Sequence, residues 1–153
     1  FGVIRSTSGD PEDFLADHGD WIWIQLLSRD GQKAAEFYRA VGGYAIVANV
    51  ETNRLSDYVL TSEGYARATV RTIRTDDPKV RPTWLPFVRV KDVNETAARA
   101  KQLGGKVLIE ANPDLFGGKV AVLGDPAGAA VGVLEWQAES GKEAENHEIN
   151  PVS

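Results

Sequence analysis

The sequence predicts an α+β fold made of two consecutive βαβββ modules. The main observation is an internal repeat: residues 21–44 and 83–106 share one strand-to-helix pattern, and Asp92 follows Asp30 by 62 residues (92 − 30). The glycine pair at 104–105 follows the pair at 42–43 by the same offset. Because each copy of a repeat is one structural unit that packs against its sibling, two copies predict a pseudo-twofold domain with a cleft.

The first module begins with an apolar, aromatic strand at residues 21–28. Asp30 is the predicted N-cap of a helix over residues 32–41, and Gly42 and Gly43 end that helix. The helical spacing of its apolar residues predicts a packing face formed by Ala34, Ala35, Phe37, Tyr38 and Val41. Three strands are then predicted at residues 44–50, 57–61 and 67–73.

The second module repeats this order. A strand is predicted at residues 85–90, followed by a helix over residues 93–103 with an inward face of Ala97, Ala98, Ala100 and Leu103. Further strands are predicted at residues 106–110, 119–123 and 130–136. The stretch 112–118 contains one proline and two glycines, so we expect a loop that borders the cleft.

The domain boundaries follow from composition. Residues 21–137 form the paired domain, with modules at 21–75 and 83–137. Residues 1–20 are an acidic linker and residues 138–153 an acidic flexible tail, because both are turn-rich or polar without apolar periodicity. The first residues, FGVI, resemble VGVL at 131–134, so we expect them to be the last strand of a preceding module; chance similarity is the alternative.

Composition narrows the range of functions. An apolar fraction of 42% and a charged fraction of 25% are typical of a globular protein. The formal net charge of −5 argues against a nucleic-acid partner, and no apolar run is long enough to predict a membrane span. The absence of cysteine excludes disulfides and thiolate chemistry. With no export signal in these residues, we expect a cytoplasmic location.

Several motifs together resemble the vicinal oxygen chelate superfamily, which contains glyoxalase I, extradiol dioxygenases and bleomycin-resistance proteins. The motifs are Asp30 with the following Ala-Ala and Phe-Tyr residues, Asp92-Val93 with the later Leu-Gly-Gly-Lys, and the run GDPAGA at 124–129 before a final apolar strand. In that run Asp125 and Pro126 suit the start of a tight turn, and Gly128 supplies a conformation that a residue with Cβ resists.

The resemblance implies a curved mixed eight-stranded sheet around a cleft, with the helices on the outside. It also implies that metal-using members hold a divalent ion with four strand positions. Transferred to this sequence, these positions are Trp23, Leu85, Gly132 and, by subtracting the repeat offset, Val70. None of these side chains supplies imidazole nitrogen or carboxylate oxygen, so we expect neither a metal nor another cofactor.

Other chemistry finds little support in the sequence. The only histidines, His18 and His147, lie in the linker and the tail, and no nucleophile elbow is present. We therefore predict no catalytic residues, and the sequence favours a non-enzymatic role. If the transferred ligand positions are wrong, the alternative is a metal-dependent lyase or dioxygenase of this superfamily.

The remaining candidate is the cleft as a binding site for a small molecule. Aromatic side chains on early strands suit a planar ligand, Gln25 and Glu135 lie near the vacated metal positions, and an inward arginine would need an anionic ligand. The predicted ligand-binding residues are Trp23, Gln25, Tyr58, Arg71, Trp84, Phe87 and Glu135. The alternative is that the aromatic side chains fill the cleft and close it.

Besides an enzymatic function, the sequence therefore leaves two other roles open. One is a metal-free domain that binds an unknown small molecule in an aromatic-lined cleft. The other is a catalytically silent structural or regulatory module of a tandem protein. In either case we expect the domain to pack with another module of the same chain or with a homodimer partner.

Overall fold

The computed structural model describes residues 16–48, 56–78 and 80–136, which form two βαβββ modules. The first module contains β1 (Trp21–Ser28), α1 (Gly31–Gly42), β2 (Ala45–Ala48), β3 (Tyr58–Ser62) and β4 (Tyr65–Thr72). The second contains β5 (Thr83–Arg89), α2 (Val93–Gln102), β6 (Lys106–Ile109), β7 (Val120–Gly124) and β8 (Ala130–Leu134). Each strand and helix predicted for the two modules is present, and the ends that fall within the described residues are shifted by at most two residues. The predicted strand at the N-terminus and the acidic tail lie outside the described residues.

All eight strands of the described chain belong to one mixed sheet with the order β2-β3-β4-β1-β5-β8-β7-β6. Within each module the first strand runs parallel to the last, β1 beside β4 and β5 beside β8. The two modules join through the antiparallel pair β1 and β5 at the centre of the sheet. This confirms the α+β fold with a curved eight-stranded sheet and an outer layer of helices.

Both helices begin at the predicted aspartates. The Asp30 carboxylate accepts a hydrogen bond from the Lys33 amide at 2.9 Å, and the Asp92 carboxylate accepts one from the Glu95 amide at 2.7 Å. Such caps satisfy amides that have no partner inside the helix, and each typically contributes about 1 kcal/mol. The repeated aspartates therefore fix the same helix start in both modules.

Two of the core clusters lie between the helices and the outer face of the sheet and are related by the repeat; a third, formed by Leu85, Phe87, Val120 and Val122, lies on the opposite face. The cluster under α1 consists of Leu26, Ala35, Leu60, Ala68 and Val70. The cluster under α2 consists of Val93, Ala97, Ala121, Leu123 and Val133. Full burial of a valine or leucine side chain contributes about 1.5–3 kcal/mol, so these clusters hold each helix against the sheet.

The predicted helix faces were too wide. Phe37 and Val41 on α1 are exposed, as are Ala98 and Leu103 at the second helix, whereas Ala35 and Ala97 are buried. A helix turns 100° per residue, and a sheet contacts only a narrow stripe of it, so residues at the edges of the apolar arc remain in solvent. No helix within the described ranges is both long and apolar enough to cross a membrane.

Candidate functional site

The face of the sheet opposite the helices, here called the inner face, carries two adjoining depressions. Side chains alternate between the two faces of a strand, so those of Trp23, Gln25 and Leu27 on β1 point inward. On the neighbouring central strand, Leu85 and Phe87 also point inward. The centre of the inner face is therefore built from the two strands that join the modules.

The first depression has a volume of about 280 Å³ and lies toward the connection between the modules. Its polar lining residues are Gln25, Arg71, Thr72, Arg74 and Thr75. Its apolar lining residues are Leu27, Ile73, Val80, Leu85, Phe87, Ile109, Leu115, Val120 and Val122. A molecule in this depression would meet a mostly apolar surface and two arginine side chains.

The second depression has a volume of about 300 Å³ and is lined mostly by aromatic and aliphatic side chains. It shares Gln25, Phe87 and Val120 with the first depression. Its remaining lining consists of Ile22, Trp23, Ser56, Thr69, Phe116, Leu134 and Trp136. The two depressions meet at these shared residues and form one groove, which we call the inner groove.

A hydrogen-bonded group lies at the floor of the inner groove. The Thr69 hydroxyl accepts a hydrogen bond from Trp23 Nε1 at 3.0 Å and one from the Gln25 side-chain amide at 3.3 Å. Thr69 and Gln25 are both buried, with 9% and 6% of their surface exposed. Because a buried donor without a partner is costly, these bonds fix the polar edge of the indole, and Trp23 also lines the second depression.

A strap at residues 74–78 and 80, which connects the modules, forms one wall of the first depression through Arg74, Thr75 and Val80. The Arg29 guanidinium at the end of β1 donates hydrogen bonds to the backbone carbonyls of Thr75, of Asp77 at 3.3 Å and of Val80 at 2.9 Å. A planar guanidinium presents several donors in a fixed geometry, which suits it to hold an irregular backbone. Arg29 therefore positions the strap beside the groove.

Asp57 organises the polar end of the same depression. Its carboxylate accepts hydrogen bonds from the Thr72 amide at 2.6 Å and from the Arg74 guanidinium at 2.7 Å. Burial raises the pKa of Asp57, but the hydrogen bonds from Thr72 and the charge of Arg74 outweigh it and hold the pKa below its ordinary value. The Asp57 carboxylate is therefore ionised at neutral pH and compensates the charge of Arg74.

The comparisons with known proteins agree with this architecture. The family model described as a glyoxalase-like domain matches residues 21–134, which include every strand and helix of both modules. The chain belongs to the glyoxalase-like domain family. This confirms the superfamily that the sequence motifs indicated.

Two relatives of this glyoxalase-like domain show how far the similarity extends. The "Anthracycline biosynthesis protein DauV" of Streptomyces sp. (strain C5) is 36% identical over 136 residues, covering 88% of this chain and 48% of DauV. The "Putative glyoxylase CFP32" of Mycobacterium tuberculosis (strain CDC 1551 / Oshkosh) is 29% identical over 118 residues, covering 76% of this chain and 44% of CFP32. The chain thus spans about half the length of the curated relatives it matches.

Among solved structures, the methylmalonyl-CoA epimerase of Streptomyces coelicolor in complex with 2-nitronate-propionyl-CoA superposes with a TM-score of 0.54. The two chains share 20% sequence identity, and the match covers 80% of this chain and 97% of the epimerase. At this identity the likeness supports the fold and carries no statement about activity.

The residues of this glyoxalase-like domain do not fit the metal site that its superfamily implies. On the inner face, Gln25 pairs with Thr69 in β4 and Phe87 pairs with Gly132 in β8, so Thr69 is the structural counterpart of Gly132. The prediction of Val70 was wrong, since its side chain is fully buried in the core under α1. Of the four positions, only Thr69 offers an oxygen, and that hydroxyl already accepts two hydrogen bonds. No cluster of three or more potential metal ligands of the types His, Cys, Asp and Glu occurs within the described ranges.

The structure brings together four of the seven predicted ligand-binding residues: Trp23, Gln25, Arg71 and Phe87 all line the inner groove. Tyr58 and Trp84 lie on the opposite face, packed against the core under α1. The Trp84 indole donates a hydrogen bond to the Tyr38 hydroxyl at 3.2 Å, and the two rings pack edge to face. Since Leu85 faces inward, strand alternation directs Trp84 outward, and this signal was available in the sequence.

Glu135 also lies away from the inner groove. Its carboxylate accepts a hydrogen bond from the Val93 amide at 2.8 Å, next to the Asp92 cap of α2. A carboxylate at a helix N-terminus is stabilised by the helix dipole, so its role in this structure is to secure the start of α2. It does not line either depression.

Sequence reasoning missed several residues that line the groove. Thr69 was missed because a constant repeat offset of 62 residues leads from Gly132 to Val70. It lies two residues before the predicted Arg71 on the same strand. The aliphatic lining from Val120 and Val122 follows from alternation on β7. Phe116 and Trp136 lie outside the strands, and no sequence pattern predicts that these residues approach Trp23.

Proposed function

We propose that this glyoxalase-like domain binds a planar, largely apolar small molecule in the inner groove without a divalent metal ion. The observation that carries this proposal is the continuity of the two depressions through Gln25, Phe87 and Val120. Ligand pockets combine apolar and aromatic walls with a few oriented polar groups, and this groove has that composition.

The orientation of Trp23 supports a stacking role. The bond from its indole nitrogen to Thr69 satisfies the polar edge of the ring inside the protein, so the exposed part of the ring is an apolar face. An aromatic ligand gains about 0.5–1.5 kcal/mol from such a ring pair beyond simple burial. The preformed hydrogen bond also means that ligand binding does not have to order this side chain.

The name of one relative points to the same class of ligand. DauV is named for anthracycline biosynthesis, and anthracyclines are fused-ring aromatic molecules. We therefore propose a fused-ring aromatic compound as the ligand class. We assign no covalent step to the domain, because the described lining of the groove contains no carboxylate or imidazole that could transfer a proton.

The proposal is tested by titrating the full chain with a neutral fused-ring aromatic such as anthraquinone while recording tryptophan fluorescence. Binding should quench fluorescence in a saturable manner, and Trp23→Phe should reduce both the affinity and the quenching. Trp21→Phe is the matched control, because Trp21 lies two positions earlier on β1, is 67% exposed and does not line either depression. Equal losses in the two variants, or no saturable quenching, would contradict the proposal.

A second candidate, a module that pairs with another module or a second copy, is favoured by the rim of the groove. Ile109, Phe116 and Trp136 line it and are each more than two fifths exposed. A partner that covered them would bury apolar surface and complete the binding site. Sedimentation equilibrium distinguishes this role: association should weaken in Phe116→Ser and Trp136→Ser, and a concentration-independent monomer would exclude self-pairing.

A further inference from the structure

The first depression contains a charged side chain whose role the proposed function does not explain. Arg71 pairs with Leu27 across β1 and β4 and lies two residues beyond Thr69, so its side chain points to the same inner face. It is half-buried and lines the first depression together with the strap. The guanidinium therefore borders the groove.

The neighbouring charges do not neutralise Arg71. The Asp57 carboxylate, whose partners Thr72 and Arg74 line this end of the groove, forms its ion pair with Arg74 at 2.7 Å. The Arg71 side chain forms no hydrogen bond or ion pair with any residue in the described part of the chain. In contrast to Arg74, the Arg71 guanidinium has no ion-pair partner among the described residues.

The lining of the groove has the opposite charge from the chain as a whole. The protein carries a formal net charge of −5, yet no aspartate or glutamate lines either depression within the described residues. The charged side chains of the lining are Arg71 and Arg74, and Asp57 compensates the second of these. An anion that enters the first depression would meet the unpaired Arg71 guanidinium and no carboxylate of the described lining.

The surroundings of Arg71 increase the effect of an anion. Leu85, Val120 and Val122 also line the depression, so a ligand seated there would displace water from the guanidinium. A charge that loses water is costly unless an opposite charge compensates it, and a guanidinium binds a carboxylate through two parallel hydrogen bonds. A neutral ligand would supply no opposite charge to compensate the guanidinium for this loss of water.

We infer that the ligand of the inner groove is an aromatic acid: its ring system occupies the second depression beside Trp23, and its carboxylate binds the guanidinium of Arg71 in the first. This inference rests on the proposed function and specifies the chemical class of the ligand. The two depressions differ in this respect: among the described residues, no charged side chain lines the second, whereas the first contains both arginines.

The experiment compares two probes of the same shape, anthracene-2-carboxylate and anthracene-2-carboxamide, by isothermal titration calorimetry at neutral pH. The wild-type chain should bind the carboxylate at least about tenfold more tightly, which is the range expected for a charge-assisted hydrogen bond. Arg71→Gln should remove this preference and leave the affinity for the carboxamide nearly unchanged. Arg67→Gln is the matched control, because Arg67 lies on the same strand, is exposed over the Tyr65 ring and does not line the groove.

The outcomes separate this inference from the proposed function. If wild-type protein binds both probes with equal affinity, the inference is overturned and binding of aromatic ligands stands. If neither probe binds, both are overturned. A preference that persists in Arg71→Gln, or that disappears equally in Arg67→Gln, also overturns the inference. Should Arg71→Gln fail to fold, as judged by circular dichroism, Arg71→Lys replaces it; a loss of at least part of the preference is expected, because an ammonium cannot form the paired hydrogen bonds.

Discussion

The ring of Phe87 lies over Gly132, its cross-strand partner in β8, and occupies the space that a side chain at position 132 would need. A Cβ added at Gly132 would lie 2.2 Å from Phe87 Cδ1. Gly132 is also one of the positions from which the superfamily's metal ligands would project. A metal-binding side chain at position 132 and the present position of Phe87 therefore exclude each other. The Phe87 ring, which lines the groove, fills the space that such a side chain would need.

This relationship predicts strong coupling between the two residues. Gly132→Ala should lower the free energy of unfolding by about 1–3 kcal/mol, because overpacking forces the Phe87 ring from its position. Phe87→Ala alone should also destabilise the protein, by leaving a cavity. In the double variant the clash is absent, so its cost should be smaller than the two single costs combined. Urea denaturation measures all four proteins, and simple additivity would show that the ring does not obstruct position 132.

The hydroxyl of Thr69 is predicted to stabilise the groove floor. Thr69→Val removes the acceptor for both the Trp23 indole and the Gln25 amide, and should lower the free energy of unfolding by about 1–3 kcal/mol. Thr83→Val is the control, since Thr83 is exposed and its hydroxyl contacts only the carbonyl of the next residue, at 3.3 Å. That variant should change stability by less than about 0.5 kcal/mol. Similar losses in both variants would indicate a general effect of the substitution.

Asp57 should make stability depend on pH in the acid range. A carboxyl whose pKa is lowered by folding stabilises the protein above its unfolded pKa, about 3.9, and this contribution is lost as the pH falls through the folded value. Asp57→Asn should therefore cost about 1–3 kcal/mol at pH 7 and progressively less below about pH 4. Denaturation curves across this range test the sign, with the exposed Asp76→Asn as the control. A cost that is constant with pH would show that the charge is not responsible.

Arg29 is predicted to hold the strap in place. Arg29→Ala removes the donors to three strap carbonyls, so amide hydrogen exchange should accelerate at residues 74–77 while the exchange in β5 stays unchanged. The affinity for an aromatic ligand should fall as well, because Thr75 and Val80 form part of the lining. Arg39→Ala is the matched control, as its ion pair with Glu36 lies on the exposed surface of α1. Unchanged exchange in the strap would count against the positioning role.

Divalent ions are predicted not to stabilise the domain. A ligand that binds only the native state raises the melting temperature, by more the tighter it binds and the higher its concentration, so Mg²⁺, Mn²⁺, Ni²⁺ and Zn²⁺ serve as direct probes. The residues at the superfamily's ligand positions provide no imidazole or carboxylate, and we expect equal melting temperatures with each ion and with EDTA. An increase of the melting temperature that saturates at about one equivalent of one of these ions would show that other side chains form a metal site.

Local signals made much of this fold predictable. The aspartate caps, the glycines after each helix and the periodicities of 2 and 3.6 residues are interactions between near neighbours, so they can be read directly from the sequence. The strand Trp21–Ser28 and the start of α2 at Val93 match their predicted positions. The Asp-Pro-x-Gly turn is also confirmed, with Gly128 at φ 101° and its amide bonded to the Asp125 carbonyl at 3.1 Å.

The residues that line the inner groove were only partly predictable. Whether a strand residue lines it depends on the face of the sheet from which its side chain projects. The repeat offset is 62 residues between the helices (92 − 30) but 63 between the facing positions Thr69 and Gly132 (132 − 69). In a strand, a shift of one residue moves a side chain to the opposite face. For this reason the offset pointed to Val70, which is buried under α1, instead of Thr69.

By itself, then, the sequence determined the two modules, the order of their strands and helices, and the lack of imidazole and carboxylate at the transferred metal positions. These properties follow from local spacing and residue chemistry. Only the tertiary structure decided that Trp23, Thr69 and Arg71 share one groove, while Trp84 packs under a helix. The physical reason is that strand pairing across the sheet sets distances between residues far apart in the chain, and no local pattern records that register.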